Sequence, residues 1–203
     1  MKVYFWCTVR YNEFIMKNTD RLMNAALNLF SLRGYNAVGV QEIVDSVSLS
    51  KPTLYHYFGS KYGLLEAILR RGTSGYLQTL QTEAIYDHDL TLNIQRITRL
   101  TFEFIEENRT FYRFWASLNF APEESEEAQC NQPIYELIRG TIQQVFESAE
   151  KDHGNMAGRA EIYTANYMGM LSSVGQLIVE NKIKMDEQRL HMILHQFEHG
   201  IYS

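Results

Sequence analysis

Residues 40–61 constrain this chain more than any other stretch, because the hydrophobic spacing there breaks and restarts within a few positions. Val40, Ile43, Val44 and Val47 recur at helical spacing, Leu49 and Ser50 interrupt them, and Leu54 and Phe58 resume in a new phase. The pattern predicts two short helices meeting at a steep angle around a tight turn, with a third starting after Ser60. Ser50 is suited to cap the second of them, and Lys51-Pro52 put proline in its first turn, where a missing N–H leaves no bond unmade. A helix this short is not stable alone, so neighbours must hold it. Its remaining surface presents Lys51, Thr53, Tyr55, His56 and Tyr57, a set of hydroxyls, polar rings and one cation without carboxylates. Such a face suits the phosphates and base edges of DNA.

Residues 21–65 resemble the DNA-binding domain of the TetR family of bacterial transcriptional regulators. The resemblance is carried by Ala25-Ala26-Leu27, Leu29-Phe30, Gly34-Tyr35, Val40, Ile43, the run Ser50-Lys51-Pro52-Thr53-Leu54-Tyr55-His56-Tyr57-Phe58, Ser60-Lys61 and Leu64-Leu65. It implies that Lys51, Pro52, Thr53, Tyr55 and Tyr57 meet the major groove and its flanking phosphates. By the same resemblance His56 occupies a further contact position, Ser50 lies at the cap, Lys61 holds a phosphate, and the Gly39 amide faces the DNA backbone. Two places depart from the family pattern. Val38-Gly39 stand where a Thr/Ser pair is usual, and Ser48 replaces the turn glycine, so it must accept a glycine-like conformation.

The rest of the chain reads as helical. Prolines occur only at 52, 122 and 133, which leaves long helices unobstructed, and 203 residues suffice for one large or two modest domains. The expected organisation is all-α: an extension of uncertain status at 1–15, a three-helix, helix-turn-helix DNA-binding domain at 16–62, and a larger helical effector-binding and dimerisation domain at 63–203. A first helix is expected from Asn18 or Thr19 to Arg33, stopped by Gly34. Beyond Ser60 the expected helices are one ending near Gly72 or running past Gly75, then about 76–86, 90–107 and 110–120. A polar loop follows at 121–132, a helix opened by Pro133, and two more at about 157–181 and 186–202.

Net charge is −5, too acidic for a nonspecific coat on nucleic acid, yet the charge is uneven. Residues 16–71 hold seven basic and four acidic side chains, whereas residues 72–203 hold ten and nineteen. A basic head on an acidic body fits DNA binding by one end. Cys7 and Cys130 suggest neither a disulfide framework nor a metal pair, and the chain reads as cytoplasmic, with no membrane-crossing run. No cofactor is called for, and no nucleophile–base pair, phosphate-cradling glycine loop or catalytic carboxylate pair marks an enzyme.

The resemblance implies an effector cavity in the body. Phe102, Trp115, Tyr163, Tyr167 and Met168 are the expected lining, and a small apolar or aromatic molecule the expected effector. Ala165, Gly169 and Ser173 recur every four residues as a groove for a close helix. With the apolar positions Ile193, Leu194, Phe197 and Ile201 they are the expected homodimer interface. His191, His195 and His199 are read as a solvated row, not as a metal site. The implied function is a homodimeric, ligand-responsive regulator, a repressor released by its effector from a palindromic double-stranded operator. The alternative is a helical small-molecule sensor that has lost specific DNA binding.

Overall fold

The structure, a computed structural model, describes residues 2–199, with side chains described from Lys17 onward. Nine helices follow one another among these residues, with no strand. They are α1 (Lys2–Arg33), α2 (Val40–Ser46), α3 (Lys51–Phe58), α4 (Lys61–Glu83), α5 (Leu90–Glu107), α6 (Arg109–Ser117), α7 (Glu126–Ala149), α8 (Ala160–Val179) and α9 (Glu187–His199). Short 3₁₀ turns at Leu118–Phe120 and Gly154–Met156 lie between α6 and α7 and between α7 and α8.

Two cores organise the molecule. In the first, Leu22, Ala26 and Phe30 of α1 meet Ile43 and Val44 of α2, Leu54 of α3, and Leu64, Leu65, Ile68 and Leu69 of α4. In the second, α5, α7 and α8 bury Ile97, Phe102, Ile105, Ile142, Phe146, Tyr167 and Ile178, and α9 adds Leu190 and Leu194. Helix α4 runs through both, since Tyr76 and Leu80 belong to the body. Helix α6 is the wall between them: Phe111 and Phe114 face the head core, while Tyr112 faces the body. One turn brings residues three apart to the same side, so neighbouring positions on α6 serve opposite cores.

Three expected boundaries are displaced. Helix α1 does not begin at Asn18 or Thr19; it is already helical from Lys2, and Asn18 lies buried inside it. The expected break between α4 and a helix at 76–86 is absent. Glycine inside a helix costs about 1 kcal/mol relative to alanine, but at Gly72 the missing side chain lets Phe111 of α6 approach closely. Of the expected loop at 121–132, residues 121–125 do lie outside any helix, but 126–132 are the start of α7. Ser125 caps it, accepting from the Ala128 amide at 3.3 Å, and Glu126 and Glu127 sit in the first turn, where the helix dipole favours carboxylates. Pro133 therefore lies inside α7 and does not open it. Along it Ile138, Ile142, Val145 and Phe146 are buried, whereas Ile134 is half-buried and Leu137 exposed.

Candidate DNA-reading face and effector cavity

The α2–α3 pair is built as its sequence requires. Ser50 caps α3, accepting from the Thr53 amide at 3.4 Å, with the Thr53 hydroxyl 2.8 Å from its own. Leu54 is fully buried and anchors the helix to the head core. Around it Lys51, Pro52, Tyr55 and His56 are exposed, and Thr53 and Tyr57 are half-buried. A tyrosine with 47% of its surface exposed on an eight-residue helix has no packing reason to be there. Gly59, at φ 73, ends α3, and Ser60 caps α4 through the Gly63 amide at 2.9 Å.

Both departures from the family pattern are visible. Ser48 takes the left-handed conformation, φ 53, and the turn closes around it through Leu49 N to the Val44 carbonyl at 2.9 Å. The Arg21 guanidinium donates to the Val47 carbonyl and ties the same turn to α1. Gly39 caps α2 without a side-chain bond, so only backbone amides present themselves there.

Lys61 is placed differently from the α3 residues. Its ammonium lies 4.0 Å from the centroid of the Tyr35 ring, half-buried. Burial lowers its pKa, and the carboxylates of Glu126 and Glu127 oppose that shift. The Tyr35 phenol is held protonated, raised by burial and by its bond to Glu126.

In the body a cleft of about 830 Å³ opens between the end of α6, α7 and α8. Asn119, Asn131, Gln132, Tyr135, Arg139 and Glu161 give it a polar lining. Behind it lies a cavity of about 70 Å³ walled by Tyr76, Phe104, Tyr112, Trp115, Ile142 and Leu171. Asn119, Tyr135, Met168 and Ser172 border both spaces. The inner cavity has room for a few waters, whereas the cleft is within the range of small-molecule sites, so an occupant of ordinary size must use the cleft.

Of the expected lining residues, Trp115 and Met168 do border the inner cavity. Phe102, Tyr163 and Tyr167 do not. Tyr167 is fully buried, its hydroxyl donating to the Ile94 carbonyl at 3.0 Å and 2.7 Å from the Thr98 hydroxyl. Phe102 lies in the body core, and the Tyr163 ring leans on Phe146 at 5.9 Å. Asn131 is a site residue that sequence reasoning missed, because its stretch was read as loop. Its Oδ1 accepts from Trp115 Nε1 at 2.8 Å.

The expected interface residues separate into two sets. Ala165, Gly169 and Ser173 are exposed on α8 along the rim of the cleft. On α9, Leu194 is buried, Ile193 is half-buried, and Phe197 packs 5.2 Å from the Tyr167 ring, so much of that stripe faces its own core. Ile201 lies outside the described residues. His191, His195 and His199 form an exposed row with ring centroids 6.0 and 4.6 Å apart. No described helix is long and apolar enough to cross a membrane.

Comparison with known proteins agrees with this architecture. Residues 22–68 match the family described as bacterial regulatory proteins, tetR family. The transcriptional activator FasR of Mycolicibacterium smegmatis is 28% identical over 171 residues, which cover 82% of this chain and 74% of FasR. The biofilm operon negative regulator IcaR of Staphylococcus epidermidis is 26% identical over 105 residues, 51% of this chain and 55% of IcaR. Among solved structures, FadR of Bacillus subtilis in complex with stearoyl-CoA superposes with a TM-score of 0.72 at 14% identity, covering 89% of this chain and 98% of FadR. PfmR of Thermus thermophilus gives 0.70 at 20%, covering 90% and 96%. At these identities the two structures establish the fold.

Proposed function

The chain belongs to the TetR family of bacterial regulatory proteins, and we propose that it acts as a homodimeric, ligand-responsive repressor. In this reading α3 enters the major groove of each half of a palindromic operator. The observation that carries it is the capped α3, whose Leu54 is buried while Lys51, Pro52, Tyr55 and His56 remain exposed. Lys51 and the Tyr55 hydroxyl take phosphates, Thr53, His56 and Tyr57 meet base edges, and the Gly39 amide adds a backbone contact. Lys61 joins them by swinging from the Tyr35 ring, giving up an interaction of about 1 kcal/mol. The test is selection of the chain's own upstream DNA, followed by titration of retained fragments in rising salt.

The effector in this reading is a small molecule with an apolar or aromatic part. It occupies the cleft and places that part against Tyr135 and Met168, which border both spaces, with Trp115 directly behind them. The B. subtilis FadR structure, of the same fold, contains stearoyl-CoA. Stearoyl-CoA is therefore a first probe, read through Trp115 emission in a Trp6→Phe background. The dimer is built on the exposed α8 face containing Ala165, Gly169 and Ser173, with Ile193 beside it. A sensor without DNA binding is not favoured, because the Ser48 turn is closed and pinned despite its missing glycine. Similarity to the activator FasR supports activation as a second reading of the sign. Transcription from the operator rises on deletion of a repressor and falls on deletion of an activator.

A further inference from the structure

One short stretch of α7 is tied to both halves of the molecule. In its first turn, Glu126 Oε2 accepts from the Tyr35 hydroxyl at 2.7 Å, and Glu127 Oε1 accepts from Asn36 Nδ2 at 2.5 Å. Tyr35 and Asn36 form the corner between α1 and α2, so these bonds fix where the α2–α3 pair begins. Lys61, over the Tyr35 ring, lies in the field of both carboxylates.

One turn further on, Asn131 is turned to the body. It accepts from Trp115 Nε1, and its Nδ2 donates to Asn119 Oδ1 at 2.7 Å. Trp115 and Asn119 both wall the inner cavity. Two residues later comes Pro133, which has no N–H to give to the Gln129 carbonyl, so residues 126–132 join the rest of α7 through a weakened turn. Glu127 is 7% exposed, and its Oε2 has no hydrogen-bond partner among the described residues. A buried carboxylate oxygen in that state favours any small displacement that lets it find a donor.

We propose that residues 126–132 are the relay between cavity and head: Glu126 and Glu127 position the DNA-reading head, and Asn131 transmits the state of the cavity to them. The proposal rests on the effector-responsive reading above and specifies how it works. A molecule in the cleft meets Asn119, Asn131 and Tyr135 together and competes for the Asn131 amide. Released from Trp115, the segment turns about Pro133, and its hold on Tyr35 and Asn36 slackens. The head then samples orientations in which α3 no longer matches its half-site.

The test needs no effector. Trp115→Phe keeps an aromatic ring while removing the donor to Asn131 together with part of the ring's packing, which the thermal midpoint below registers, and Asn119→Ala removes Asn131's acceptor at an exposed position. Each is made in the full chain and in a Glu126→Ala, Glu127→Ala background, with Tyr35→Phe as a second way of cutting the head-side bond. Operator affinity is measured by fluorescence anisotropy, and the thermal midpoint is followed in parallel as the readout of a purely structural effect. The expected result is that each body-side change shifts operator affinity at least about threefold in the parent, and that the shift disappears once the head-side bonds are cut. Equal shifts in both backgrounds, or none in either, overturn the relay alone. Failure of the parent to bind any selected DNA overturns the regulator reading and the relay with it.

Discussion

Gly72→Ala tests the place where head and body meet. A methyl group built at Gly72 falls 2.2 Å from Cε2 of Phe111, well inside any contact that real side chains make. The ring has nowhere to go. Phe111 is buried in the head core, with the Trp115 ring stacked 5.8 Å away and the Phe104 ring edge-on at 6.2 Å. Helices α4 and α6 must therefore part by about 1 Å, and overpacking of this kind costs about 1–3 kcal/mol. Alanine gains about 1 kcal/mol in helix propensity over glycine. With the ring held on two sides the upper half of the overpacking range applies, leaving a net loss of about 1–2 kcal/mol. For a chain of this size that lowers the thermal midpoint by about 2–8 °C.

Gly75→Ala is the internal control, because a methyl group there meets nothing within 4 Å among the described residues. It adds propensity without contact and raises stability by up to about 1 kcal/mol. Urea titration at one fixed protein concentration compares the two midpoints with slopes unchanged. If Gly72→Ala stabilises as much as Gly75→Ala, the close α4–α6 crossing and the wall assigned to α6 are wrong.

Ser50→Ala removes the α3 cap and lowers stability by about 1 kcal/mol, measured by urea titration, with a parallel loss of operator affinity because α3 has only eight residues. Lys51→Ala weakens binding to every DNA sequence alike and reduces the slope of log affinity against log salt by about 0.9, while Thr53→Ala changes sequence preference, both read by anisotropy. Asp152 accepts from the Tyr86 hydroxyl at 2.8 Å and lies 2.7 Å from His88 Nδ1, and those partners, His88 first, lower its pKa. A carboxyl depressed in the folded state stabilises above its unfolded value of about 3.9 and loses that contribution as pH falls through the folded value. Asp152→Asn accordingly flattens the acid limb of the stability curve below about pH 4, as followed by urea titration across pH.

The head was legible because its signals are local. Ser50, Pro52, Gly34 and Gly59 each mark a cap, a first turn or a stop by their own chemistry, and Ser48 adopts the strained turn that its position requires. Helix α5, expected at about 90–107, was equally legible, since Ile94, Ile97 and Ile105 repeat at helical spacing. What escaped depends on distant contacts. Gly72 and Gly75 leave open a helix that ends near Gly72 or runs past Gly75 until Phe111 is placed against Gly72. The acidic run at 123–127 reads as a solvated loop until Tyr35 and Asn36 arrive to take two of its carboxylates. The cavity lining was half legible for the same reason. Trp115 and Met168 reach it, but periodicity alone does not distinguish the side of α8 carrying Met168 and Ser172 from the side carrying Tyr163 and Tyr167.

The central claim is that two copies of α3 read paired half-sites. Footprinting of the full chain on DNA selected from its own upstream region tests it most directly. The account predicts two protected half-sites of opposite orientation, about one helical turn or a multiple apart, both lost together in a Lys51→Ala, Tyr55→Ala variant that keeps its thermal midpoint. A fragment bound no more tightly than competitor DNA, or protection that survives that double substitution, contradicts it.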